Sequence, residues 1–242
     1  MIADLTHVNS RRSRPSIPGM SWFAFIPGSN MIESAHGIVL RARRFAETSL
    51  IVNWLTPACG RLSTIAKGAL RPKSPFRGKL DLFYEADISF ARSRRSELHT
   101  LREVSVIDVH GPLRHELGYL RQAAYGAALI EQITETETPL PAIFGLMRGF
   151  LEAVPLTAPQ PQAVFAWELK LLNELGLKPD LRRSPLTPGT RQIAAALTSN
   201  EWTMVGRLKL SEAQATELRQ FLQGFMAFHL GRIPKGRSAV LQ

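Results

Sequence analysis

The chain has 242 residues and a single cysteine, Cys59, which excludes an intrachain disulfide and any zinc site built from several thiolates. Its six histidines are scattered without metal-ligand spacing, and His110 and His115 have no obvious nucleophile beside them in sequence. No apolar run approaches the ~20 residues needed to cross a bilayer. Lys67-Gly68-Ala69 lacks both the glycine spacing and the following Lys-Ser/Thr of a phosphate-cradling loop. Cys59 falls in a predicted hairpin loop with no histidine nearby in sequence, which makes it a poor nucleophile. No internal repeat is present. These absences argue against an enzyme, and no cofactor or membrane partner is expected.

Acidic charge is missing where cations gather. Lys67, Arg71, Lys73, Arg77 and Lys79 fall within thirteen residues that contain no Asp or Glu. Two prolines and two glycines in that stretch exclude a regular helix and disfavour an interior strand. An exposed connection lined with unpaired cations is the remaining reading. Such a surface suits a phosphate backbone, because each neutralised phosphate releases counterions. The net charge is +10, of which +7 lies in residues 1–110 and +3 in residues 111–242. An acidic partner is expected, and the first half is the part that meets it.

From His36 the pattern is β. Ile38, Leu40 and Ala42 alternate with Val39, Arg41 and Arg43; Leu50 to Thr56 and Arg61 to Lys67 predict two more strands around the hairpin loop Pro57 to Gly60. Leu82, Tyr84, Ala86, Ile88 and Phe90 predict a fourth. A fifth spans about Leu98 to His110, with a phase change between Leu101 and Val104 that suggests a bulge. Five short strands with basic connections suit a small closed barrel, and an OB-fold, which commonly binds single strands, is the natural candidate. Gly111-Pro112 ends the β pattern. Helical periodicity follows in 113–136, in a helix opened by Thr138-Pro139, and in 163–175 with Gly176 as its C′ residue. Ser211 and Gln214 predict a capping box on the last long helix. The expected architecture is α+β: a leader at 1–34 read as disordered, a barrel at 35–110, an all-α domain at 111–235, and a flexible tail at 236–242. Translation from about Met31 is a sharper expectation for the leader.

The candidate nucleic-acid contacts are Arg41, Arg43 and Arg44 on the first strand, Lys67, Arg71, Lys73, Arg77 and Lys79 in the loop, and Arg92, Arg94 and Arg95 in the next turn. Phe76 is the candidate for stacking on a base. Nothing in these segments reads base edges, so binding is expected to be largely sequence-independent and steeply salt-sensitive.

The order of parts resembles the bacterial RecO family of DNA repair and recombination proteins. The resemblance rests on Gly37-Ile38-Val39-Leu40-Arg41 with Glu47-Thr48-Ser49-Leu50-Ile51-Val52, and on Ala66-Lys67-Gly68-Ala69 with Arg71-Pro72-Lys73-Ser74 and Phe76. It continues in Ala124, Ala127, Leu129, Ile130 and Glu131, then in Phe165, Glu168, Leu169, Leu171, Leu172, Leu175 and Gly176 followed by Pro179-Asp180-Leu181. It covers roughly residues 33–235. It implies an N-terminal OB-fold, a helical domain, and a cytoplasmic, nucleoid-associated protein. It further implies binding of single- and double-stranded DNA, annealing of complementary strands, and loading of the RecA recombinase onto DNA coated by single-strand-binding protein. The implied partners are RecR and the acidic C-terminal tail of single-strand-binding protein. One departure is plain: many relatives carry a four-cysteine zinc site after the Pro-Asp-Leu block, whereas Arg182 to Pro188 contains no cysteine, so no metal is expected and packing alone should hold 179–200.

An acidic tail ending in a hydrophobic residue needs an apolar groove with a cation at its rim. Tyr125, Leu129, Phe144, Met147 and Leu151, with Arg121 or Arg148 at the edge, are the candidates; ordinary core packing of two helices is the competing reading. An RNA- or ribosome-binding OB-fold protein shares the barrel and the charge. It is separated by the large apolar helical half and by relative affinity for single-stranded DNA and RNA.

Overall fold

The computed structural model describes residues 31–241. Residues 1–30 of the leader lie outside the described residues, whereas Met31 is described and the leader's last three residues belong to the first strand. The strands are β1 (Ile32–Phe45), β2 (Ser49–Thr56), β3 (Gly60–Ala66), β4 (Glu85–Ala91) and β5 (Leu98–Asp108). They close into a barrel in the order β1-β2-β3-β5-β4, with β3 and β5 parallel and every other pair antiparallel. Closure leaves no edge strand to be covered.

Three local features departed from, or refined, what alternation predicted. β1 starts at Ile32 rather than His36, because Ile32 to Gly37 pair with Ala91 to Ala86 of β4. The first half of β1 lies along β4 and the second half along β2, with Ile38 opposite both Glu85 and Leu55. In β5, Glu103 pairs with Ser89 and Leu101 with Phe90, so Arg102 is the extra residue of the bulge that the phase change indicated. In the segment before β4 the apolar alternation misleads. Phe83 adopts a positive φ of 65° and is buried, whereas Leu82 is exposed. A strand phase continued back to Leu82 would have placed these two side chains the other way round.

The barrel interior holds Val39, Val52, Trp54, Leu62, Ala66, Ala86, Ile88, Phe90, Leu101 and Val104. Trp54 Nε1 donates to Thr64 Oγ1 at 2.9 Å, so the one polar group of this ring is satisfied inside the barrel. The outer face of the barrel contributes Ile38, Leu40, Leu55 and Phe83 to a second core, shared with the helices.

The helical half contains α1 (Leu117–Ile133), α2 (Pro141–Ala153), α3 (Pro161–Glu174), α4 (Pro188–Ser199), α5 (Trp202–Val205), α6 (Glu212–Leu230) and α7 (Arg237–Val240). α1 starts later than the periodicity suggested, because Gly111–Arg114 forms a separate 3-10 turn. α6 carries the expected reciprocal cap between Ser211 and Gln214, and Gly176 takes a φ of 72° after α3. The excursion at 179–190 is not held by packing alone. Asp180 accepts from Arg182 N at 3.0 Å, Thr187 Oγ1 donates to Glu217 at 2.9 Å, and Leu186 is buried in the core. Those residues offer no thiolate or imidazole with which to hold a zinc ion.

The tail also differs from expectation. Residues 237–240 form α7, Arg237 is 4 % exposed and Leu241 is 2 % exposed. Glu168 on α3, itself fully buried, receives Arg237 Nε at 2.7 Å and Nη2 at 2.9 Å, and accepts Tyr125 Oη–H at 2.5 Å. This buried fork is what docks the end of the chain.

Candidate nucleic-acid interface

Residues 67–79 pass through consecutive tight turns, with Arg71 N bonded to Gly68 O, Ser74 N to Arg71 O, Arg77 N to Ser74 O and Lys79 N to Phe76 O. Ala69, Phe76 and Leu80 point into the barrel and are buried there, which fixes the loop as a plug over one end. The cations alternate with these anchors and are left outside. Leu70 N donates to Thr48 O at 2.9 Å, and Gly68 N to Ser49 Oγ at 3.3 Å, joining the loop to the β1–β2 turn. The end of β1 that carries Arg43 and Arg44 therefore lies at the same end of the barrel as the loop with Lys67, Arg71, Lys73 and Arg77. All six are exposed and none makes an ion pair among the described residues. Arg77 donates to Pro72 O, which steadies it without neutralising it.

Six of the candidate contacts stand differently. Phe76 is 7 % exposed, because its ring fills the barrel mouth more favourably than it would stand in water; it is a plug rather than a free stacking surface. Phe76→Leu is expected to cost on the order of 1 kcal/mol of stability, with no loss of oligonucleotide affinity in the folded fraction; denaturant titration beside a binding curve checks this. Arg41 is bound to Glu131 of α1 at 2.5 Å, and Asn53 donates to the same carboxylate at 3.1 Å. Arg92 is held by both oxygens of Glu33 at 2.6 and 2.8 Å and by Glu137 at 2.7 Å. These bonds hold the Arg92 guanidinium well above its ordinary pKa and the Glu33 carboxyl below its own. Arg41 and Arg92 thus tie the barrel to its surroundings and carry little free charge.

Arg94 and Arg95 are exposed, but at the opposite end. β2 runs from Ser49, beside the loop, to Thr56, which pairs with Gly60. Around Gly60 and Arg61 the barrel meets the segment after α1: Arg61 donates to the Thr134 side chain and carbonyl, and Glu137 N donates to Arg61 O at 2.8 Å. Glu137 in turn holds Arg92 and, at 2.7 Å, His99, so the β4–β5 turn belongs to this end. Gly60 has a φ of 64°, and a Cβ there would lie 1.8 Å from Thr138 O, so the junction is too tight for a side chain. Burial lowers the Arg61 pKa, offset in part by Glu131 and Glu97.

Lys79 reaches Val104 O at 3.3 Å and, with Arg102, borders a groove of about 700 Å³ across β1, β4 and β5 that also contains Asp87 and Glu103. Arg102 stands at the bulge that the phase change in β5 marks.

The apolar partner groove is not formed by the residues proposed for it. Tyr125, Leu129, Phe144, Met147 and Leu151 are each no more than 7 % exposed and pack in the core between α1, α2 and the barrel. Arg148 pairs with Glu152 at 3.2 Å and lies 4.0 Å from Glu85 of the barrel. Arg121 is exposed beside a different hollow of about 260 Å³ lined by Ala124, Tyr125, Ala128, Pro234, Ala239 and Val240, so of the proposed residues only Arg121 and Tyr125 come together there.

A closed five-stranded barrel with one strongly basic end, continued into a helical domain, defines the OB-fold class of nucleic-acid-binding architecture. Residues 31–110 match the family model "Recombination protein O N terminal", and residues 114–185 match "Recombination protein O C terminal". The chain belongs to the RecO family. It is 28 % identical over 230 residues to the DNA repair protein RecO of Anaeromyxobacter sp. (strain K), covering 81 % of this chain and 91 % of that one. It is 24 % identical over 239 residues to the DNA repair protein RecO of Bacillus subtilis (strain 168), covering 86 % and 93 %. With the DNA repair protein RecO of Exiguobacterium sibiricum it shares 32 % identity over 151 residues, 62 % of this chain and 60 % of the relative.

Proposed function

We propose that the protein is a non-catalytic mediator of DNA repair and homologous recombination. It binds single- and double-stranded DNA through the basic end of the barrel, chiefly by Arg43, Arg44, Lys67, Arg71, Lys73 and Arg77. It anneals complementary strands and, together with RecR, promotes loading of RecA on DNA coated by single-strand-binding protein, in the cytoplasm at the nucleoid. The helical half serves the protein partners, among them the acidic tail of single-strand-binding protein.

The observation that carries this reading is the gathering of six exposed cations, without acidic partners among the described residues, from two separate segments of a RecO-family barrel. Neutralising a strand lets such a surface hold two complementary strands close enough to pair, without reading either sequence. No bond is made or broken, so no catalytic group is required. The test is an annealing assay with complementary oligonucleotides, with and without single-strand-binding protein, across a salt series. Annealing that accelerates with protein and weakens steeply with salt is the expected result. Absence of acceleration, or tighter binding to RNA than to single-stranded DNA, overturns the reading in favour of an RNA-binding role.

A further inference from the structure

Among the aromatic rings at the basic end, Phe76 is the barrel plug, and the Tyr84 face is covered by the Arg114 guanidinium 4.9 Å from its centroid. Phe45 is different. It is the last residue of β1, opposite Ser49, and remains 45 % exposed. Burying a phenyl ring is worth roughly 1.5–3 kcal/mol, so this ring stands in water against its own transfer preference. Its position is well defined. The β1–β2 turn is closed by Ala46 at a φ of 54° and is bonded from the side by Leu70 N to Thr48 O. Leu70, itself 40 % exposed, therefore stands next to the same turn.

The surroundings identify the ligand chemistry. Arg43 and Phe45 are two residues apart on β1 and share its outer face, since side chains alternate along a strand. Lys67 and Arg71 flank Leu70 in the loop. A purely apolar partner would have to desolvate these guanidinium and ammonium groups without compensating them. A ligand that is polyanionic along one edge and aromatic along the other satisfies both sets of groups, and an unpaired nucleic-acid strand is such a ligand. In a duplex the base faces are already stacked on one another and unavailable to the ring.

We infer that Phe45, supported by Leu70, is the stacking platform of the basic end and favours unpaired bases over duplex. The inference rests on the reading that this end binds nucleic acid. Arg43, Lys67 and Arg71 hold the phosphates, and the ring takes a base turned toward the protein. The cations then supply affinity common to single and double strands, and the ring supplies the part that requires an unstacked base.

The experiment uses the full chain and three probes of equal length: a mixed-sequence single strand, the same strand carrying consecutive abasic sites, and a duplex. Phe45→Ala is expected to weaken binding to the normal strand by about 5- to 100-fold, while affinity for the abasic strand and the duplex changes by less than about twofold. Phe45→Trp should bind the normal strand at least as well as the parent protein. The salt slope should stay the same in every variant, since no phosphate contact is removed. Equal losses on the normal and abasic strands, or no loss on the normal strand, overturn the platform. If Phe45→Ala proves unfolded by circular dichroism, Phe45→Leu, which keeps the bulk without the aromatic face, gives the same discrimination. Parent protein with a steep salt slope and an unaffected Phe45→Ala variant refutes the platform alone; parent protein that binds no strand refutes the nucleic-acid reading along with it.

Discussion

Simultaneous replacement of Arg71, Lys73 and Arg77 by glutamate is expected to lower affinity for a single-stranded oligonucleotide by about a hundredfold or more at low salt, and to reduce the slope of log K against log salt by about 2. The slope change follows from about 0.7 counterions released per phosphate contact on a single strand, with three contacts removed. Reversal adds repulsion to the lost contacts, so the affinity change exceeds that of neutral replacements. Stability should hardly respond. The three side chains are exposed and make no ion pair among the described residues, whereas the loop is anchored by Ala69, Phe76 and Leu80 inside the barrel. The contrasting variant is Arg94→Glu with Arg95→Glu. These arginines are equally exposed in sequence and structure, but they stand at the barrel end occupied by Glu137 and Thr138. Their reversal is expected to change the slope by less than about 0.5, because they stand at the barrel end opposite the proposed phosphate contacts. Filter or anisotropy titrations at several salt concentrations measure both. A triple variant with the parent slope, or a double variant that loses as much as the triple one, would remove the loop as the site.

The second large effect concerns the end of the chain. Arg237→Ala leaves the fully buried Glu168 carboxylate without its guanidinium, and a broken buried pair of this kind costs about 3–5 kcal/mol. For a chain of this size that corresponds to a melting temperature lower by roughly 10 °C. Arg237→Lys keeps the charge but not the fork, and should fall between. Paired replacement, Arg237→Met with Glu168→Leu, should recover much of the loss, since it removes both desolvated charges and keeps volume. The electrostatics at this site oppose one another. Burial alone would lower the Arg237 pKa, but its bonds to the Glu168 carboxylate raise it overall. Burial, with Glu168 beside it, also raises the Tyr125 pKa, so the phenol stays protonated and donating. A pKa raised on folding contributes stability that is intact below the ordinary value of 10.0 and is lost as pH rises above it. Urea titration at neutral and alkaline pH measures each of these outcomes. A loss below about 1 kcal/mol for Arg237→Ala would mean that the tail is held by Leu241 and apolar contact alone.

Phe45, Arg43 and the loop cations all lie between residues 43 and 79, and the hairpin between them is announced by strand alternation and a short polar turn. Arg237 is different: in sequence it is one more basic residue in a short C-terminal run, with nothing to mark it as the partner of Glu168, sixty-nine positions earlier.

Strand alternation, the phase slip that becomes the Arg102 bulge, the Ser211–Gln214 cap and the order of the family blocks were all properties of neighbouring residues, so the sequence alone determined a barrel followed by helices. The fate of individual charges and rings was decided by the tertiary structure. Arg41 and Arg92 looked like Arg43 and Arg94 along the chain, yet Glu131, Glu33 and Glu137 come from 45 to 90 residues away to pair with them. Phe76 and Phe45 were both loop-proximal aromatics until the closing barrel took one as its plug and left the other outside. Periodicity and capping act over a few residues, whereas a Coulomb partner or a packing cavity exists only once distant segments lie within ångströms of each other.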